Sequence, residues 1–280
     1  MKKVKVITDS TMIAEPELIK ELAIDIVPLG VMIDGVLYSD DQLPGEEFME
    51  LMSKAKALPS TSQPPIGLFV ETFDKYPADE YDVISINITK NLSGTAEAAR
   101  QAAQISHANV TVVDSEFINQ SMSFQVIEAA KMARDGFGKE EILVKLEKIR
   151  ANTKLYLGLS TLENVVKGGR IGKASGMIAS VLNIKVIMEF TPELHLQPIV
   201  KGRGVKTFTK WRAQLVEMLK ATPNVAAIGI SYAGNKALAL DFLHDIQPLF
   251  KDMHIPLLHT GSVIAMHTGD GAFAIEYYTD

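Results

Sequence analysis

Asp82-Val83-Ile84-Ser85-Ile86-Asn87-Ile88 is a short apolar run. Asn91-Leu92-Ser93-Gly94-Thr95 follows it, then the alanine-rich stretch Thr95–Ile105, then Val110-Thr111-Val112-Val113. The order reads strand, polar loop, helix, strand. The strand segments are nearly continuous in apolar character rather than alternating. That pattern belongs to parallel strands buried on both faces by helices. Working outward, Val4–Thr8 reads as a strand and Glu15–Ala23 as a helix. Asp25–Ile33 reads as extended, and Glu46–Lys56 as a helix. A polar turn, Pro59-Ser60-Thr61-Ser62-Gln63-Pro64-Pro65, leads into a helix from Ile66 to Tyr76. A long helix covers Ser121–Arg134, and Lys139–Arg150 sets Ile142, Leu143, Leu146 and Ile149 on one helical face.

Asn152-Thr153 reads as a boundary, and the second half has a different texture. Leu155–Ser160 is a strand, Thr161–Lys167 a short helix, and Ala174–Leu182 a helix rich in small residues. Ile184–Thr191 and Leu194–Lys201 flank Pro192-Glu193 as a hairpin. Val205–Lys220 is a helix carrying the lone Trp211. Val225–Tyr232 is a strand and Ala237–Phe250 a helix. Leu257–Thr260, Ser262–Met266 and Ala272–Tyr278 read as closing strands. The expectation is an α/β protein of two domains: an N-terminal three-layer domain with a parallel sheet over residues 1–153, and a C-terminal α+β domain with a mixed sheet over 154–280.

Of the 280 residues, 47% are hydrophobic and 22% charged, which suits a folded core. Lys and Arg number 28 against 34 Asp and Glu, a net charge of −6 that argues against nucleic acid as a partner. With no cysteine, disulfides, thiol nucleophiles and Cys-ligated clusters are excluded. The start, Met1–Asp9, lacks the apolar core of a signal peptide, and no apolar run approaches the ~20 residues of a spanning helix. The reading is a cytoplasmic, bacterial-type protein without integral membrane association.

Hydroxyls gather where strands end. Thr8-Asp9-Ser10-Thr11, Ser60-Thr61-Ser62, Asn91–Thr95 and Asp114-Ser115 each lie between a strand and a helix or at a strand end. In a parallel sheet these ends share one edge, where ligands bind. Two hydroxyl-bearing helix N-termini converging there would hold a small anionic head group, although each segment alone is also an ordinary helix cap. Gly168-Gly169-Arg170-Ile171-Gly172-Lys173 could aim Arg170 at an anion, but it is not a P-loop. Gly202-Arg203-Gly204 lacks the third glycine of a dinucleotide fingerprint. The histidines form neither HExxH nor a metal cluster, and no Gly-x-Ser-x-Gly elbow is present. No cofactor or metal is expected. His267 reads as a loop histidine at a strand end, and Arg203, between two glycines, as a surface residue.

These pieces, in order along essentially the whole chain, closely resemble the DegV family. The resemblance is carried by Thr8-Asp9-Ser10-Thr11, Val27-Pro28-Leu29, Pro59–Pro64, Ser93-Gly94-Thr95, Val113-Asp114-Ser115, Lys167–Ile171 and His267-Thr268-Gly269. It implies a fatty acid held between two domains. Its carboxylate would be bound by Thr61 and Ser93, with support from Ser62, Gly94, Arg170 and His267, and its chain would lie in a C-terminal tunnel. It also implies a partner, a separate fatty-acid kinase that makes an acyl phosphate for phospholipid synthesis, docked through Arg203. This chain departs from the family pattern at Met12-Ile13-Ala14, at Asp270 in place of proline, and at Ala274 in place of glycine. An inward Asp270 would weaken head-group binding, or favour a protonated His267 near its reference pKa of ~6.5.

Burying an acyl chain yields about 0.8 kcal/mol per CH₂, on the order of 11 kcal/mol for ~14 methylenes. A hydrogen bond to the carboxylate adds up to about 3 kcal/mol. The chain thus supplies most of the affinity, and the hydroxyls decide which end faces out. Met177, Ile178, Val181, Leu182, Ile184, Val186, Ile187 and Met188 are candidates for the tunnel wall. The rival expectation is an enzyme acting on a small anionic substrate, with Ser93 as nucleophile or Arg170 as an anion clamp.

Overall fold

The computed structural model describes residues 2–170, 184–191 and 196–280. The expected helix Ala174–Leu182, the turn at Pro192-Glu193, and the wall candidates Met177, Ile178, Val181 and Leu182 lie outside the described residues.

The first sheet contains β1 (Lys3–Asp9), β2 (Asp25–Val27), β6 (Tyr81–Asn87) and β7 (Asn109–Asp114), in the order β2-β1-β6-β7. Every pairing in it is parallel. Successive side chains alternate across it, so adjacent residues serve different cores. Ile7 and Val83 pack with Phe69 and Phe73 of α3 (Ile66–Phe73) and with Ala98, Ala99 and Ala102 of α4 (Thr95–Ile105). Val6, Ile84 and Ile86 face the other way, toward Met122 and Val126 of α5 (Asn119–Arg134). This two-sided burial explains the continuous apolar runs. Helix α1 (Pro16–Glu21) joins β1 to β2, and α6 (Lys139–Ala151) packs on α5.

The stretch read as continuously extended, Asp25–Ile33, divides between two sheets. β3 (Gly30–Ile33) pairs antiparallel with β4 (Val36–Ser39) and with β5 (Ser60–Ser62), followed by or flanking α2 (Gly45–Lys54). Ser60-Thr61-Ser62 is therefore a strand, not a turn entering a helix.

The second sheet has the order β10-β9-β8-β13-β11-β12, built from β8 (Thr153–Leu159), β9 (Ile184–Phe190), β10 (Leu196–Arg203), β11 (Val225–Ala233), β12 (Leu257–His259) and β13 (Ala272–Thr279). It is mixed: β11 and β12 are parallel, and the other pairs are antiparallel. α8 (Lys206–Ala221) and α9 (Ala237–Ile246) cover one face, with Trp211, Leu215 and Phe242 against Ile228, Ile230 and Phe273. The opposite face, Leu157, Val186 and Met188 included, joins the core around α5. Of the described wall candidates, Val186 and Met188 thus face the N-terminal domain, whereas Ile187 faces α8.

Ser262–Met266, expected as a strand, is helical: α10 spans Ser262–Thr268. An apolar run this short, buried on every side, carries no periodicity that separates helix from strand. α7 (Glu163–Lys167) lies beside it.

Helix α5 lies between the two sheets, and ten of its sixteen residues are buried. Its first turn meets β13 at a carboxyl with no exposed surface, Glu276. Glu276 accepts the Gln120 N–H at 3.2 Å and the Ser231 hydroxyl at 3.1 Å. Gln120 Nε2 donates onward to the Ile230 carbonyl at 2.8 Å. Burial pushes the Glu276 carboxyl up to about 8, against the pull of these neutral donors.

Candidate functional site

Thr61 sits on β5, opposite Val31, and this strand register aims its hydroxyl toward α10. Thr61 Oγ1 lies 3.1 Å from Nε2 of His267. His267 occupies the last turn of α10 rather than a loop. Arg170 follows α7 and reaches across to the N-terminal domain, where its Nε donates to the Leu92 carbonyl at 3.3 Å. Its Nη1 also donates to the Gly168 carbonyl at 2.7 Å. The guanidinium is thereby fixed beside the loop that holds Ser93. Ser93 Oγ is 2.9 Å from Thr95 Oγ1.

These four residues, with Ser62 and Gln63, line one cleft between the domains. The rest of the lining is mainly apolar, with Leu29, Ile88 and Ile118 from the first domain and Leu157, Val263 and Ile264 from the second. The cleft thus combines a few polar side chains, among them the Thr61–His267 pair, with a largely hydrocarbon lining.

The polar part of the cleft is not made from two capped helix N-termini. Neither α3 nor α4 has a side-chain cap, and α3 begins behind Pro65. A strand hydroxyl, a loop hydroxyl, a histidine and an arginine converge instead. Gly94 and Gly168 permit this approach. A Cβ on Gly94 would stand 2.1 Å from Gln63 Oε1, and one on Gly168 would stand 2.3 Å from His267 Nδ1.

His267 is neutral. Burial, and then the positive charge of Arg170, lower its pKa to about 4. The condition under which Asp270 would favour a protonated His267 is not met. Asp270 is exposed and turned elsewhere, accepting the Asn235 N–H at 3.0 Å. Among the described lining residues of the cleft, Arg170 supplies the positive charge. Nδ1 of His267 is buried and has no hydrogen-bond partner among the described residues. A neutral ring that keeps its proton on Nε2 donates to Thr61, which leaves the Thr61 hydroxyl hydrogen free for an anion.

Thr8-Asp9-Ser10-Thr11 is buried behind the cleft and acts as a brace. Asp9 accepts the N–H groups of Thr11 at 3.0 Å and Ile88 at 2.7 Å, tying β1 to the loop that leads to Ser93. Burial raises the Asp9 carboxyl to about 6. Ser115 is likewise internal, bonded to Phe117. Arg203 lies at the exposed end of β10, outside the cleft. Two contributors were not singled out from sequence. Gln63 is one, although it stands inside the Pro59–Pro64 motif. The other is Asn164, whose Nδ2 holds the Met266 carbonyl at 2.8 Å. A lone Asn on a short helix gives no sequence signal of that kind. The nucleophile reading of Ser93 finds no support in the geometry: its hydroxyl partner is Thr95, and the histidine bonds Thr61.

A parallel-sheet α/β domain and a mixed-sheet α+β domain, closed over this cleft, define a two-domain protein of a fold seen in solved structures. The solved "DegV, a fatty acid binding protein from Bacillus subtilis" superposes with a TM-score of 0.90 at 27% identity, covering all of both chains. The fatty-acid-binding DegV family protein from Thermus thermophilus gives a TM-score of 0.88 at 26% identity, over 99% of this chain and 100% of that one. The chain belongs to the DegV family. The family model, described as "Uncharacterised protein, DegV family", matches residues 3–280. A DegV domain-containing protein of Streptococcus pneumoniae is 49% identical over 276 residues, 98% of each chain.

Proposed function

We propose that this protein binds a long-chain fatty acid and presents its carboxylate to a fatty-acid kinase. The observation that carries the reading is the lining of the cleft: Thr61, Ser93, Arg170 and His267 together with a majority of apolar side chains. An amphiphile with one anionic end fits such a lining, and the fatty-acid-binding relatives of the same fold support it. Residues 1–153 supply the head-group loops, and 154–280 enclose most of the chain. Thr61 and Ser93 bind the carboxylate, Ser62 on β5 and Gly94 beside Ser93 shape the site around it, and Arg170 and His267 serve the head group. The kinase, not this chain, performs the phosphoryl transfer. The acyl phosphate carries more negative charge than the acid, so Arg170 serves the product more than the substrate. Arg203, exposed and outside the cleft, is assigned to kinase docking. The setting is the bacterial cytoplasm, and among the described residues no helix is long and apolar enough to cross a membrane.

Organic extraction of protein purified without detergent, followed by mass spectrometry, tests the reading. About one fatty acid per chain is expected, and an empty extract counts against it. Thr61→Ala and Ser93→Ala should each remove about 1.5–3 kcal/mol of palmitate binding, roughly ten- to a hundredfold in Kd. Arg170→Ala should depress acyl-phosphate formation more than palmitate binding. Arg203→Ala should leave palmitate affinity intact and raise the kinase's apparent KM for this protein.

A further inference from the structure

Helix α10 belongs by sequence to the C-terminal half, but it packs against α2, β3 and β5 of the N-terminal half. It is seven residues long, and all but His267 are buried. One end carries His267 in the cleft. The other end is held by Asp40, a buried carboxyl in the short turn after β4. Asp40 is itself anchored, since its N–H donates to the Leu29 carbonyl at 2.9 Å. Its Oδ1 accepts the Val263 N–H at 3.0 Å and the Ser262 hydroxyl. A Cβ on Gly261 would lie 3.3 and 3.4 Å from the two carboxylate oxygens, so the glycine lets the chain come this close. The groups that hydrogen-bond this carboxyl are neutral, and burial raises its pKa. Keeping a carboxyl there is costly, and an apolar residue would pack more cheaply. Val263 and His267 are one helical turn apart on the same face. A shift or rotation at the Val263 end is therefore carried to the imidazole.

We propose that Asp40 is a positioning residue: by gripping Val263 and Ser262 it sets where α10 places His267 against Thr61. The proposal rests on the head-group reading for its functional meaning, but its geometry can be tested in ligand-free protein. His267 would be followed by its imidazole NMR signal, assigned by comparison with His267→Gln. Asp40→Ala should move that signal and shift its titration upward from the depressed value of the parent. It should also weaken palmitate binding at least about tenfold, the loss of one charged hydrogen bond at the site. Asp40→Asn keeps an acceptor for both donors and should restore the His267 signal and hold palmitate affinity within about threefold. Leu215→Ala, which opens a cavity in the separate core under α8, should lower the urea midpoint and leave His267 unmoved. If Asp40→Ala does not fold, Ser262→Ala removes one donor only and should shift His267 in the same direction. An unchanged His267 signal and titration in the folded variant overturns the proposal. A shifted His267 in a protein whose parent binds no palmitate would sustain the positioning role and sink the fatty-acid reading instead.

Discussion

Replacing Glu276 by glutamine should make the protein more stable at high pH and change little at low pH. Burial raises this carboxyl from its ordinary 4.5 to about 8. Below pH ~4.5 both the folded and unfolded chains carry the proton, and the group imposes no pH-dependent penalty. Between ~4.5 and ~8 the folded chain holds a proton that the unfolded chain has released. Stability therefore falls with rising pH, by about 1.4 kcal/mol per unit, toward a total of roughly 5 kcal/mol. Glutamine cannot ionise. Its amide oxygen can still accept the Gln120 N–H, and its NH₂ can donate to Ser231. The gap between Glu276→Gln and the parent should therefore open across that window. Urea unfolding followed by fluorescence reads it, because the lone Trp211 is buried in the core of the domain that contains Glu276. Other titrating groups cancel in the difference between the two proteins. A gap of equal size at pH 5 and pH 8.5 would refute the reasoning, since Glu276 would then be ionised, or exposed, at both.

His267, held near 4 by burial and by Arg170, should show no NMR titration between pH 5.5 and 8. Arg170→Ala should raise its midpoint, yet leave it below ~6.5 because burial remains. Gly168→Ala places a Cβ 2.3 Å from His267 Nδ1 and 2.9 Å from the Asn164 carbonyl. It should cost about 1–3 kcal/mol in denaturant titrations and lower palmitate affinity with it. Gly158→Ala would meet the Phe273 ring at 2.2 Å. It should destabilise by a similar ~1–3 kcal/mol in thermal melts, without moving the His267 signal.

The parallel sheet was legible because Val83–Ile86 and Val110–Val113 are apolar without alternation, which only two-sided burial explains. Helices such as Thr95–Ile105 and Lys139–Ala151 were legible because length and composition or periodicity agree there. What sequence could not deliver was tertiary. Val263–Met266 is too short for its period to choose between helix and strand, and the N-terminal domain that surrounds it decides. Ser60–Ser62 looks like a turn because prolines flank it, yet an exposed edge of β3 recruits it as a strand. The two residues expected at the carboxylate, Thr61 and Ser93, do line one cleft, although the helix ends invoked to bring them together do not. The charge state of His267 was not legible because it depends on burial and on Arg170, which lies far away in sequence.

β13 lies between β8 and β11, in the middle of its sheet. A ribosome delivers it after both neighbours. Until then β8-β9-β10 and β11-β12 are separate ribbons, each with an open inner edge of unpaired backbone groups. The nascent chain must keep those two edges apart from other chains, and from each other, until Ala272–Thr279 emerges to fill the gap. A translation stop or proteolytic cut before Ala272 would therefore not trim this domain. It would leave it in two halves, with Glu276, the partner of the first turn of α5, lost along with the strand.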